Sequence, residues 1–175
     1  MHRILKIAVT GPESTGKSML AEQLAGHYKT VWVPEYAREY INSLGRPYEQ
    51  ADILEIARGQ VRSEEQLYGK AQRVMFCDTE LIVTKIWSEV KYSHCDPLIL
   101  QMMSEREYDL YLLCDVDLPW VDDPQREHPH LRAYLFGLYE KELNERHANY
   151  AVVSGIGRSR LENAIKIIEK SFPEL

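Results

Sequence analysis

At 175 residues, 45% of them hydrophobic and 27% charged, the chain suits one domain with a substantial core. Its formal net charge of −6 argues against a nucleic-acid surface, and no apolar run approaches the ~18 residues a bilayer span requires. Lys6 interrupts the first apolar run, which argues against a secretory leader, and Cys77, Cys95 and Cys114 form no C-x-x-C pair. A reduced cytoplasmic protein without nucleic-acid or membrane partners is expected, with Cys77 and Cys114 as core thiols.

In chain order, Ile4 to Val9 reads as a buried strand, and Met19, Leu20 and Leu24 lie at helical spacing in a helix reaching Tyr28. Between them runs Gly11-Pro12-Glu13-Ser14-Thr15-Gly16-Lys17-Ser18, which matches G-x-x-x-x-G-K-[ST] in the strand–turn–helix context that a phosphate-binding P-loop needs. Thr30 to Val33 is a short second strand stopped by Pro34, and Glu35 to Ile41 forms a helix or turn. After the break at Gly45-Arg46-Pro47, a long helix is expected from Tyr48 to about Lys70, with Ile53, Ile56, Ala57 and Val61 on its buried stripe and Gly59 weakening it. Arg73 to Cys77 is a third strand ending at Asp78-Thr79, and Leu81 to Val90 is helical. Asp96 caps a helix from Pro97 to Glu107. Tyr108 to Cys114 is a fourth strand, closed by Asp115-Val116-Asp117. A polar, Pro-rich stretch leads to a helix over Leu131 to His147, a last strand over Asn149 to Val153, and a last helix over Arg158 to Phe172. The pattern is α/β: a five-stranded parallel sheet with helices on both faces, in one domain covering residues 1–175 with a lid segment at about 118–130.

In such a sheet the ligand lies off the carboxyl ends of the strands. Those ends carry the P-loop, Glu35, Asp78, Asp115 with Asp117, and Ser154-Gly155. Gly11, Glu13, Ser14, Thr15, Gly16, Lys17, Ser18 and Met19 are the candidate nucleotide-binding residues. Glycines let the loop amides turn inward, the helix start adds positive potential, Lys17 reaches the β- and γ-phosphates, and Ser18 with Asp78 holds Mg²⁺. Asp78 also reads as a cap for the helix beyond it. Glu35 can accept a proton from a substrate hydroxyl, while Arg38 pairs with it or binds phosphate. The Pro-rich segment can close over the nucleotide and bring Arg126 against the transferring group. Trp87, at helical spacing, reads as core more than as a stacking surface, and His128-Pro129-His130 lacks a third metal ligand.

The strings GPESTGKS, PEYAREY (Pro34 to Tyr40), FCDTE (Phe76 to Glu80) and PWVDDPQR (Pro119 to Arg126) resemble the ribosylnicotinamide kinase domain of NadR proteins and the P-loop ATPases grouped with it. The resemblance covers essentially the whole chain and implies a P-loop kinase fold and phosphorylation of the 5′-hydroxyl of nicotinamide riboside, with ATP and Mg²⁺ as cofactors. It implies catalytic roles for Lys17, Glu35, Asp78 and Arg126, a D-T pair at Asp78-Thr79, and an acceptor site made by Glu35, Tyr36, Arg38, Gln60, Arg62 and Asp78. Either Glu35 or Asp78 can serve as the base. The chain departs from the family in three respects: it leaves no room for an adenylyltransferase domain, Pro124 follows the paired aspartates where a glycine is expected, and Pro34 stands where some relatives have an aromatic that could stack on the pyridinium ring. Stacking then falls to Tyr36, Tyr40 or another ring. The alternatives are a kinase of a different nucleoside or a regulatory P-loop ATPase. A GTP switch is disfavoured, since Thr84-Lys85-Ile86-Trp87 lacks the aspartate of a guanine-reading motif.

Overall fold

The structure is a computed structural model and describes residues 3–175. Its elements are β1 (Leu5–Thr10), α1 (Lys17–Tyr28), β2 (Trp32–Val33), α2 (Tyr36–Ser43), α3 (Gln50–Tyr68), β3 (Val74–Asp78), α4 (Leu81–Tyr92), α5 (Pro97–Ser104), β4 (Leu110–Cys114), α6 (Arg132–Glu145), β5 (Tyr150–Val153) and α7 (Arg158–Ser171). The strands form one parallel sheet in the order β2-β3-β1-β4-β5. Among the described residues no helix is long and apolar enough to cross a membrane.

The period of two along each strand divides the core between two faces. Ile7, Val9, Leu110, Leu112 and Cys114 face α1 and α7, where Leu20, Leu24, Ala164 and Ile168 complete one cluster. Ala8, Tyr111 and Leu113 face the other side, packed by Ile53, Ala57, Ile82, Ile86, Ile99 and Leu143. Nearly continuous burial along β1, β3 and β4 explains why these strands read as apolar runs rather than alternating ones. Cys77 and Cys114 are fully buried, as core thiols should be, and Cys95 joins them at 7% exposure.

The long α3 helix keeps the expected buried stripe but also buries Asp52. That carboxylate sits at the helix start, where it accepts the Glu49 N–H at 2.7 Å, the Tyr40 hydroxyl at 2.9 Å and both ends of the Arg46 guanidinium at 2.7 and 2.9 Å. Gly59 does more than weaken this helix. A Cβ there would lie 1.9 Å from the Tyr36 ring, so the missing side chain is what lets α2 lie against α3. Asp96 caps α5 as expected, accepting the Leu98 N–H at 2.8 Å. The cap of α4 is Glu80 rather than Asp78: Glu80 accepts the Ile82 N–H at 2.6 Å and the Thr10 hydroxyl at 2.9 Å. Asp78 is thereby released from the capping duty that the sequence allowed it.

Candidate active site

Sheet register brings the site together. Val9 pairs with Asp78, so the P-loop leaves β1 directly beside the end of β3, and the Thr79 N–H closes the step on the Val9 carbonyl at 3.0 Å. Gly11 passes so near β4 that a Cβ would meet the Cys114 carbonyl oxygen at 3.0 Å, and its φ of 130° is open only to glycine. Ser14 and Thr79 are non-glycine residues held at φ 57° and 66°, a backbone cost located at the site itself. The Thr15 hydroxyl and the Lys17 ammonium both donate to the Pro12 carbonyl, at 2.8 and 2.7 Å, so the lysine curls back over its own loop.

Asp78 is 2% exposed, and its Oδ1 is buried with no hydrogen-bond partner. Burial first, and the Glu35 carboxylate second, push its carboxyl up to about 6, against the opposing pull of Ser18 and Lys17. Such an oxygen is costly unless something positive reaches it. Ser18, at the start of α1, supplies a hydroxyl beside it. One hydroxyl and one unsatisfied carboxylate oxygen next to a phosphate nest form the donor set that a hard divalent cation takes.

Glu35 precedes α2 and leaves the α2 N-terminus without a side-chain cap. It borders a cavity of about 340 Å³ together with the P-loop, Met19, Arg38 and Arg126. Gly11, Glu13, Ser14, Thr15, Gly16, Lys17 and Ser18 all line this cavity, whereas buried Asp78 does not line it and is next to two residues that do, Ser18 and Glu35. Met19 is 63% exposed at the rim.

The segment between β4 and α6 is tied down at both sides of the cavity. Toward the P-loop, Glu13 accepts the His128 N–H at 3.0 Å and the Glu127 N–H at 3.2 Å, and the Ser14 hydroxyl accepts the Val121 N–H at 2.9 Å. Arg132 donates to the Ser14 and Leu118 carbonyls at 3.2 and 2.8 Å. Toward α2, Asp123 pairs with Arg38 at 2.9 Å, and the Gln125 amide donates to Asn42 at 2.8 Å. Arg126 reaches the cavity with its guanidinium donating to the Val121 carbonyl.

Several expectations are corrected. Arg38 does not pair with Glu35; its partner is Asp123, which the segment brings across from 85 residues away. Tyr36 and Gln60 do not line the cavity. The Tyr36 ring is tucked against Gly59, and the Gln60 amide is spent on the Tyr36 N–H at 2.9 Å and the Thr79 carbonyl at 3.5 Å. Gln60 thus braces the ends of β2 and β3 from behind the site. Arg62 is exposed on α3 and does not line the cavity. Asp117 does not join the phosphate end either, because buried Arg160 binds it and the Gly155 N–H donates to it at 2.6 Å. The rings that do border the cavity are Tyr48, Trp87, Tyr139 and the His128 imidazole. The sequence places Tyr48 at the start of the long helix, which instead begins at Gln50, and Trp87 reads as core because its helical spacing matches the buried side of α4.

A family model described as AAA domain matches residues 6–160. Over 124 residues the chain is 31% identical to the trifunctional NAD biosynthesis/regulator protein NadR of Escherichia coli, an alignment covering 69% of this chain and 30% of that protein. The chain therefore spans about a third of the length of that curated relative. A NadR crystal structure in complex with NR superposes with a TM-score of 0.83 at 20% identity, covering 97% of this chain and 51% of that one. Thymidylate kinase from Ehrlichia chaffeensis superposes with a TM-score of 0.67 at 13% identity, covering 97% and 99%. The fold is that of the P-loop kinases.

Proposed function

Since the chain belongs to the AAA-domain family of P-loop proteins, we propose that it is a nucleoside kinase that transfers the γ-phosphoryl group of MgATP to the 5′-hydroxyl of nicotinamide riboside, giving nicotinamide mononucleotide. The observation that carries the reading is Asp78: a buried carboxylate with one oxygen unsatisfied, beside Ser18 and Glu35, which line the cavity together with the P-loop. A switch protein needs the nucleotide half of this arrangement alone. The aromatic and carboxylate-lined half fits a second small molecule. NadR's role in NAD biosynthesis, and the NR held by one NadR structure, favour nicotinamide riboside as that molecule.

Mg²⁺, when bound, neutralises charge between the phosphate oxygens, and Ser18 and Asp78 are the residues that fit it. The loop amides and Lys17 hold the phosphate chain, with the ammonium leaving the Pro12 carbonyl for phosphate oxygen. With Asp78 committed to the cation, Glu35 takes the proton of the acceptor hydroxyl. Arg126, on the 118–130 lid, stabilises charge on the transferring group, and the Arg38–Asp123 pair holds the lid against α2 while water is excluded. Most of the acceleration comes from positioning and preorganised charge. The test is coupled ADP production with MgATP across a nucleoside panel. Strong stimulation by nicotinamide riboside is expected; stimulation by another nucleoside alone would replace the acceptor; slow hydrolysis indifferent to every nucleoside would replace the kinase with a regulatory ATPase.

A further inference from the structure

Part of the cavity lining has no role in the phosphate chemistry. Ile41, Val83, Ile86 and Val90 give it apolar walls, and Tyr48 and Trp87 give it rings. Ring centroids of these two lie 4.8 Å apart at 69°, an edge-to-face pair, so each fixes the tilt of the other. The indole N–H donates to the Tyr48 hydroxyl at 2.9 Å, that hydroxyl donates to Glu127 at 2.8 Å, and Lys91 donates to the other Glu127 oxygen at 2.8 Å. The Lys91 ammonium also stands 3.9 Å from the Tyr48 ring centroid and covers that face of the ring. The indole nitrogen, the Tyr48 hydroxyl and both Glu127 carboxylate oxygens are therefore engaged by other members of this cluster.

We infer that the Trp87 indole, its tilt set by Tyr48, is the platform for the acceptor's base, and that the acceptor class is a nucleoside whose flat ring is held by its face rather than read along its edge. The inference rests on the nucleoside-kinase reading and adds to it the residues that choose the acceptor. Tyr36 and Tyr40, the rings first expected to stack, are consumed elsewhere: Tyr36 against Gly59, and Tyr40 through its hydroxyl on Asp52. With Pro34 ahead of Glu35, no ring stands at that position. A pyridinium suits this wall, because an indole face attracts a cation as well as a flat ring. The hydrogen bond from Tyr48 to Glu127 also makes the platform part of lid closure, since Glu127 belongs to the same segment as Arg126.

The experiment uses the whole chain with Trp87→Leu and Trp87→Phe. Tryptophan emission is followed on titration with nicotinamide riboside without ATP, and steady-state KM values are taken for both substrates. The chain holds three tryptophans, so Trp87→Phe isolates the contribution of this one. Stacking worth that of a typical base on an aromatic side chain corresponds to a rise of about tenfold in nucleoside KM for Trp87→Leu. The ATP KM should move less than about twofold, Trp87→Phe should recover most of the loss, and most of the nucleoside-dependent emission change should vanish in Trp87→Phe. A folded Trp87→Leu protein with unchanged nucleoside KM, or an emission change that survives in Trp87→Phe, overturns the platform while leaving the kinase intact. Wild-type protein that neither binds nor phosphorylates any nucleoside overturns both.

Discussion

Asp52 and Asp78 are both nearly out of solvent, at 5% and 2% exposure, and they have opposite surroundings. Asp52 accepts hydrogen bonds from Arg46, Tyr40 and the Glu49 backbone, chiefly Arg46, and its carboxyl is held well below the usual range. Asp78 has an unpartnered oxygen and the Glu35 carboxylate for a neighbour, and its carboxyl rises to about 6. The first arrangement stabilises the join between α2 and α3. The second leaves one buried carboxylate oxygen that the protein alone does not satisfy, which is how a site looks when its remaining partner is a ligand. Burial alone does not separate the two carboxylates; satisfaction does.

Substitutions can break or sharpen this contrast. The largest effect is expected at the phosphate end, where Lys17→Ala should cost about 10²–10³ in kcat/KM with little change in fold, checked by coupled ADP production. Asp78→Asn should lose activity on a similar scale. Asp52→Asn should act in the other direction: about 1–3 kcal/mol less stable by urea denaturation, because Arg46 and the Glu49 N–H lose their ionised acceptor, with the folded enzyme still turning over. Gly59→Ala should cost about 1–3 kcal/mol, because the added methyl meets the Tyr36 ring at 1.9 Å, and should impair activity through the α2 residues beside Glu35.

The smallest signal is in pH. Asp78 and Glu80 have raised folded-state values, about 6 and about 7, each mainly through burial. Their unfolded counterparts ionise near pH 4, so the native state binds more protons between about pH 4 and 7. Through that window these two groups add stability as pH falls and withdraw it as pH rises. Asp52 has the opposite sign, and its contribution, present above pH 4, is lost only in stronger acid. Midpoints measured from pH 7.5 to 5 should show the upward trend, weakened in Asp78→Asn.

Much of the frame was legible because strong local signals and tertiary packing agree. The apolar runs of β1, β3 and β4 are buried on both faces, and the P-loop string sits between a strand and a helix as its chemistry requires. The α3 stripe is buried as expected at Ile53, Ile56, Ala57 and Val61. What escaped the sequence depends on partners distant along the chain. Arg38 and Asp123 pair across 85 residues, and Tyr48 meets Glu127 across 79, through a segment whose path no local pattern encodes. Gln60 lies on the helix expected to face the acceptor, yet its amide is absorbed by the backbone of Tyr36 and Thr79. Trp87 packs against the core as its spacing implied, but the same ring also borders the cavity, because the apolar side of a helix can do both.

The most direct test of the central claim compares thermal unfolding of wild type and Asp78→Asn at pH 7.5, with and without MgATP. If Asp78 is an unsatisfied carboxylate kept for the nucleotide-bound cation, Asp78→Asn should be the more stable protein without ligand, by about 1–3 kcal/mol. It should then gain much less than wild type from MgATP. An Asp78→Asn protein that is less stable without ligand, and that gains as much from MgATP as wild type does, would contradict the claim and make Asp78 a structural residue like Asp52.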